Sequence, residues 1–176
     1  MSEEVAAFAT SVVAVRRARG AVRIVARQLL AQIGLAGCAL PKGSSGAPIW
    51  PNGVVGSLSQ DSRIAVAAVG RGRDFRALGI DVETAEALPS ELLDLIATPQ
   101  DRAQIRIDPY HGRLLFAAKE AVYKAVYPID QTFLDHHDVE VNLPNRRAIV
   151  RNGRVVELRF CFSTHLLVLA FFARRR

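Results

Sequence analysis

Residues 77 to 88 read ALGIDVETAEAL, an apolar run that ends in Asp81 and Glu83 with only Val82 between them. On an extended strand, side chains two apart point the same way, so both carboxylates share one face while Val82 takes the other. Like charges side by side repel, and the strand itself offers nothing to compensate them. The chain must therefore fold so that a positive partner meets the end of this strand.

Periodicity supplies the elements around it. Residues 20 to 34, GAVRIVARQLLAQIG, put Val22, Val25, Ala26, Leu29, Leu30 and Ile33 on one helical stripe, with Gly34 as the stop. The stretch PKGSSGAPIWPNG is a loop, dense in Gly, Pro and Ser. Strand-like VVGSLS, RIAVAAVG and RALGIDVE follow, with turns at Gln60-Asp61-Ser62 and Gly70-Arg71-Gly72. In the second half, helices cover about residues 90 to 104 and 112 to 126, the later segment ending at the residue before Pro128. They precede RRAIVRN, GRVVELRFCF and HLLVLAFFA, divided by Asn152-Gly153 and Ser163-Thr164. A helix and a three-strand meander thus occur twice, without a repeat of residues. The pattern predicts an α+β fold of two pseudo-symmetric lobes, residues 1–88 and 89–176, each with helices on a three-stranded, mainly antiparallel sheet. A cleft separates them.

At 176 residues and 50% apolar content, the chain suits one compact unit. Glu3 and Glu4 stand where a secretory signal needs basic residues, Arg16 and Arg17 close the short apolar stretch, and LLVLAFFA is far below the roughly 20 residues that span a bilayer. Cys38 and Cys161 then read as reduced thiols, and the chain as a cytoplasmic monomer without membrane contact. Of 23 basic residues only Lys42, Lys119 and Lys124 are lysines, which leaves 20 arginines, and the formal charge is +6. That balance invites an anionic partner. The lysines mark places that want a compact ammonium, or else are leftovers on the surface.

LLFAAKEAVYKAVYP is a helix whose buried stripe is Leu115, Ala118, Val122, Ala125 and Val126. Glu120 and Lys124, four apart, share another face, and taken alone they read as a surface salt bridge. Set against Asp81 and Glu83 they suggest more. Carboxylates converging on a cleft form an oxygen cage for a hard cation such as Mg²⁺, with Lys119 and Lys124 free to neutralise phosphate oxygens.

GIDVE followed by FAAKEAVYK resembles the paired signatures of the surfactin- and enterobactin-type 4′-phosphopantetheinyl transferases, roughly G-I-D-[IV]-E and [FW]-x-x-K-E-[SA]-x-x-K. Upstream, VRIVARQLLAQIG is similar to that class's G-R-x-x-A-x-x-A-L-x-x-L-G helix. GSSGAPIWPNGVVGSLSQ is similar to its G-x-x-G-x-P-x-W-P-x-G-x-x-G-S-[IL]-[ST]-H segment. The four segments keep the family's order over about residues 20 to 128. The resemblance implies a two-lobed fold with the site between the lobes, and Mg²⁺-dependent (or Mn²⁺-dependent) transfer of the phosphopantetheine arm of coenzyme A to a serine of an acidic acyl or peptidyl carrier protein. The by-product is 3′,5′-ADP. It implies Asp81, Glu83 and Glu120 as metal ligands, with Glu120 assisting removal of the serine proton. Lys124 would stabilise or protonate the departing phosphate, and Lys119 would contact phosphate. Arg23 and Lys42 match basic residues near the 3′-phosphate of coenzyme A, and Ser59 lies in the loop that approaches the nucleotide.

The sequence departs from the pattern at three places. Gln60 stands where the family has a His that contacts the 3′-phosphate, so weaker discrimination against dephospho-coenzyme A is expected. Val22 replaces the Gly before Arg23, which a helix accepts. The first helix also comes early, so a shortened first lobe is expected. Other signals carry less. Adjacent His136 and His137 would point apart in extended chain, His165 reads as a core or edge histidine with a satisfied hydrogen bond, and GSLSQ lacks the closing Gly of a nucleophile elbow. The rival readings are a non-catalytic binder of coenzyme A or carrier protein, and a basic nucleic-acid-binding module whose binding would fall steeply with salt.

Overall fold

The computed structural model describes residues 20–43, 46–104 and 108–174. Glu3, Glu4, Arg16 and Arg17, Ser44 and Ser45 of the loop, and the last two arginines lie outside them. The first helix, α1, covers residues 20–32 and buries Val22, Ala26 and Leu30, each one turn from the next. It ends at Gly34, whose φ of +88° is left-handed, and the Leu35 amide returns to the Leu30 carbonyl at 2.9 Å. Strands β1 (Val54–Gln60) and β2 (Ala65–Arg71) form a two-stranded antiparallel hairpin. Asp61 shapes its turn by accepting from the Arg63 and Ile64 amides at 2.6 and 2.7 Å. Ala26, Leu30 and Leu40 pack with Trp50, Val54, Leu58, Ala67 and Val69 as a small core.

The larger core lies under a five-stranded sheet. Strand β3 (Phe75–Thr84) is followed by helices α2 (Ser90–Ile96), α3 (Pro99–Gln104) and α4 (His111–Asp130). A single 3₁₀ turn, His136–Asp138, leads into β4 (Val139–Asn142), β5 (Arg147–Val150), β6 (Val155–Phe162) and β7 (His165–Ala173). The sheet order is β3-β7-β6-β5-β4, antiparallel throughout. Helix α4 covers one face: Ala117, Ala118, Ala121, Val122, Ala125 and Val126 are fully buried with Val156, Leu158, Leu166, Val168 and Ala170. Alanines let the helix lie close, and Gly79 of β3 takes this furthest. A Cβ at Gly79 would fall 1.9 Å from the Ala121 carbonyl oxygen and 2.6 Å from the Ala125 nitrogen. Only glycine fits beneath α4 there, and the strand residue two further on is Asp81.

The fold is α+β, but its strands divide two plus five where the meander pattern predicted three plus three. Six consecutive residues of β3, Ala77 to Val82, are buried, so both of its faces are covered. Its backbone pairs with β7 instead of with the hairpin. Towards the hairpin, the hydroxyl of Ser57 accepts the Ile80 amide at 3.0 Å in place of a strand. β4 is a strand the sequence reading missed, although VEVN alternates as a strand should. The helix expected over 90 to 104 breaks at Ala97, whose backbone is extended. Pro128 does not end α4, which runs to Asp130 and closes on Gln131 at φ 55°. A proline in the last turn removes only one ladder bond. Among the described residues no helix is long and apolar enough to cross a membrane.

Candidate active site

The close seat of α4 on Gly79 brings Lys124 to the end of β3. Its Nζ lies 2.6 Å from Asp81 Oδ1, 3.2 Å from Ser59 Oγ and 3.3 Å from the Ile80 carbonyl oxygen. Ser59, at the end of β1, donates to the same Asp81 oxygen at 2.8 Å. The positive partner demanded by the strand is thus Lys124, and three separate segments meet on one carboxylate oxygen. The other oxygen, Oδ2, is buried with no hydrogen-bond partner, and Asp81 as a whole is 4% exposed. A lone buried carboxylate oxygen is costly unless something binds it.

Glu83, on the same face, is drawn the other way. Its Oε2 lies 3.2 Å from Arg113 Nη1 in the first turn of α4. Burial, and then repulsion by Asp81, push its pKa above the ordinary glutamate value of 4.5, against the pull of Arg113 and Lys124. Glu120 looks elsewhere again, with its Oε1 3.9 Å from His136 Nε2 across an open cleft. The cleft measures ≈ 450 Å³ and is lined by Glu120, Tyr123, Phe133, Leu134 and His136 among others.

This overturns one expectation. Asp81, Glu83 and Glu120 do not form one cage: among the described residues no three His, Cys, Asp or Glu side chains group closely enough to hold a metal ion. Each acid faces a different side chain: Lys124 meets Asp81, Arg113 meets Glu83, and the His136 ring lies nearest Glu120. The Asp81–Glu83 pair nonetheless suits a divalent ion. It offers hard oxygens, an orphaned Oδ2, and a repulsion that a cation relieves; Mg²⁺ commonly takes one or two carboxylates plus substrate phosphates.

Lys119 is the second correction. Expected at a phosphate, it is 1% exposed with its Nζ 2.7 Å from each of Asp101 Oδ2, the Ile96 carbonyl and the His136 carbonyl. Three ammonium donors meet three acceptors, so none remains for a ligand. Burial pulls its pKa down and Asp101 pulls it back up. Asp101 also accepts the Thr98 amide at 2.9 Å and, through Oδ1, the Val141 amide at 2.9 Å, while Thr98 Oγ1 accepts the Asp101 amide at 3.1 Å. That reciprocal Thr98–Asp101 pair is a capping box, visible in the sequence as T-P-Q-D and missed there. Arg113 was missed too. Its signal was a cation in the first turn of a helix, where acids are favoured.

The remaining candidates lie on the hairpin side. Gln60 ends β1 opposite Ala65, with its side chain half-buried. Arg23 projects from α1 and its Nε donates to the Leu40 carbonyl at 3.3 Å. Lys42 is exposed where the loop forms a single bridge to Pro48. His165 is buried at the start of β7, its Nδ1 3.0 Å from Thr164 Oγ1. Its Nε2 is 2.9 Å from Asp61 Oδ2, a close contact not aligned as a hydrogen bond.

Comparison with known proteins meets this geometry. Residues 3–70 match the model of the 4′-phosphopantetheinyl transferase N-terminal domain, and residues 77–170 that of the 4′-phosphopantetheinyl transferase superfamily. Among curated relatives, the 4′-phosphopantetheinyl transferase PptT of Mycobacterium tuberculosis is 39% identical over 145 residues, 80% of this chain and 64% of that protein. Svp of Streptomyces mobaraensis is 41% identical over 68% of this chain and 51% of its own length. Npt of Nocardia iowensis is 40% identical over 68% and 55%. The chain thus spans between half and two thirds of the length of these relatives. The second match alone covers more than half of its residues and contains both signature segments that meet at Asp81 and Lys124, so the chain belongs to the 4′-phosphopantetheinyl transferase superfamily.

Proposed function

We propose that this chain transfers the phosphopantetheine arm of coenzyme A to a serine hydroxyl of an acidic acyl or peptidyl carrier protein, releasing 3′,5′-ADP. The observation that supports this best is the union of Ser59, Asp81 and Lys124, one from each of three motif segments, around a single carboxylate with a free buried oxygen. The transfer forms a bond from the serine oxygen to phosphorus and breaks one in the pyrophosphate. It needs positioning, charge neutralisation and a proton acceptor, and no covalent enzyme intermediate. Asp81 and Glu83 would hold Mg²⁺, which when bound supplies charge to offset the phosphate oxygens. Glu120, half-exposed on the cleft, is the acceptor for the serine proton. Lys124, one turn further along α4, is the cation that meets the departing phosphate. Arg23, Lys42, Ser59 and Gln60 are assigned to the nucleotide end. Gln60 brings an amide and no charge, so preference for coenzyme A over its dephospho form is reduced. A formal charge of +6 suits an acidic carrier. On this reading the chain works as a cytoplasmic monomer and needs neither nucleic acid nor membrane.

The test is incubation with coenzyme A, Mg²⁺ and a panel of apo carriers, read by intact-protein mass. One carrier should gain one phosphopantetheine arm, and Asp81→Asn or Glu120→Gln should remove the gain. A folded protein that modifies no carrier with metal present overturns the reading.

A further inference from the structure

Arg113 holds the chain from Glu83 to Ala87 at three points. Its Nη1 lies 3.2 Å from Glu83 Oε2, its Nε donates to the Glu86 carbonyl at 3.4 Å, and its Nη2 donates to the Ala87 carbonyl at 3.3 Å. The side chain is only 17% exposed. Local energetics do not account for it. A helix favours acids in its first turn, and α4 has none there, so a cation at this position works against the helix dipole. The neighbouring residue is also shaped for contact. A Cβ at Gly112 would lie 3.3 Å from Leu88 Cβ and 3.4 Å from Leu93 Cδ1, so the start of α4 is seated close against the β3–α2 connection. The planar guanidinium is what ties that seat to Glu83. A fixed fork can serve one carboxylate and two carbonyls at once, which a lysine ammonium on a flexible stem does not reproduce.

We propose that Arg113 is a positioning residue for the divalent cation: it engages Oε2 of Glu83, fixes the connection behind it, and leaves Oε1 for the ion. This rests on the reading that Asp81 and Glu83 hold that ion. The opposite account makes Arg113 a mere counter-charge. A guanidinium beside a ligand repels the incoming cation, so its removal would then tighten binding. The two accounts differ in sign, which makes the question decidable without any turnover.

The experiment titrates Mn²⁺ alone into the full chain and follows the loss of the free-ion electron paramagnetic resonance signal, with thermal melts to show that each variant is folded. Wild type should bind and Asp81→Ala should not. Arg113→Ala should weaken binding about tenfold or more, the usual loss when a partner that orients a metal ligand is removed. Arg113→Lys, which keeps the charge and loses the fork, should weaken it comparably; should the alanine variant not fold, this one carries the test. Unchanged or tighter binding in Arg113→Ala, or wild-type binding in Arg113→Lys, overturns the proposal while leaving the cation site intact. If wild type itself takes up no Mn²⁺, the cation reading falls and this inference with it.

Discussion

Lys119 and Lys124 lie on the same helix, and the fold uses them in opposite ways. Lys119 is sealed near the middle of α4, where its ammonium joins α2, α3 and the turn before β4 through Ile96, Asp101 and His136. Lys124 stands at the seam between hairpin and sheet, with a side chain 28% exposed and a buried carboxylate oxygen beside it still unclaimed. Five residues at about 100° each turn the two side chains roughly 140° apart around the axis, so one helix supplies both positions. The contrast is one of satisfaction. Lys119 has every donor matched inside the protein, as a structural group should. The Lys124–Asp81 pair is matched on one side only.

The largest effect expected from this contrast is on stability. Lys119→Ala leaves the Asp101 side chain, 0% exposed, without its partner, a loss of about 3–5 kcal/mol. Chemical denaturation measures it. Asp101→Leu combined with Lys119→Met should recover only part of that loss. An apolar pair removes both desolvation penalties, but it leaves the Thr98 and Val141 amides and the Ile96 and His136 carbonyls without their partners. Loss of carrier modification in Lys119→Met with stability held would break the comparison, since it would give the buried lysine a part in the chemistry.

The next effect falls on rate. Lys124→Ala should lower the modification rate by about 10²–10³, the cost of removing one charge-stabilising donor. It should lower the melting temperature less than Lys119→Ala does, because Ser59 still donates to Asp81 and the lysine side is partly open to water. Lys124→Arg should not restore it, since a planar fork cannot repeat a point contact to Asp81, Ser59 and the Ile80 carbonyl. Time-resolved intact mass with saturating coenzyme A reads this directly. A variant that melts far below wild type would show that Lys124 too is mainly a staple.

Much of this seam was legible in the sequence. Period-two alternation gave most of the strands and 3.6-residue periodicity gave α4; the repulsion of Asp81 and Glu83 pointed to a metal ion, whereas the side chains that meet them are Lys124 and Arg113. What was not legible depended on neighbours far along the chain. A strand buried on both faces has two edges, and nothing within β3 says whether the hairpin or β7 takes one of them. Lys119 and Lys124 look alike in KEAVYK; only Asp101, from a separate helix, tells them apart. Glu120 was placed with the other acids because helix spacing sets its face correctly, but spacing cannot show that Arg113 draws Glu83 aside or that His136 faces Glu120.

The smallest expected effect is also the one with a definite sign. Burial first, then Asp81, hold the Glu83 pKa above 4.5 in the folded protein. The folded state therefore keeps the Glu83 proton more firmly than the unfolded chain does. Below about 4.5 the group is protonated in both states and adds no penalty; as pH rises towards the folded value, ionisation costs the fold more than the unfolded chain, and stability is lost. Glu83→Gln removes that loss. With the side chain 25% exposed, solvent screening keeps the gain below about 1 kcal/mol, or under about 4 °C in melting temperature for a chain this size. The variant should melt slightly above wild type at pH 7 and level with it near pH 4. Added Mg²⁺ should reverse the order at pH 7, because an ion that binds only the folded wild type stabilises it by mass action. Glu83→Gln melting below wild type at pH 7 without metal would mean that the Arg113 contact outweighs burial, and that this side of the seam is as fully matched as Lys119.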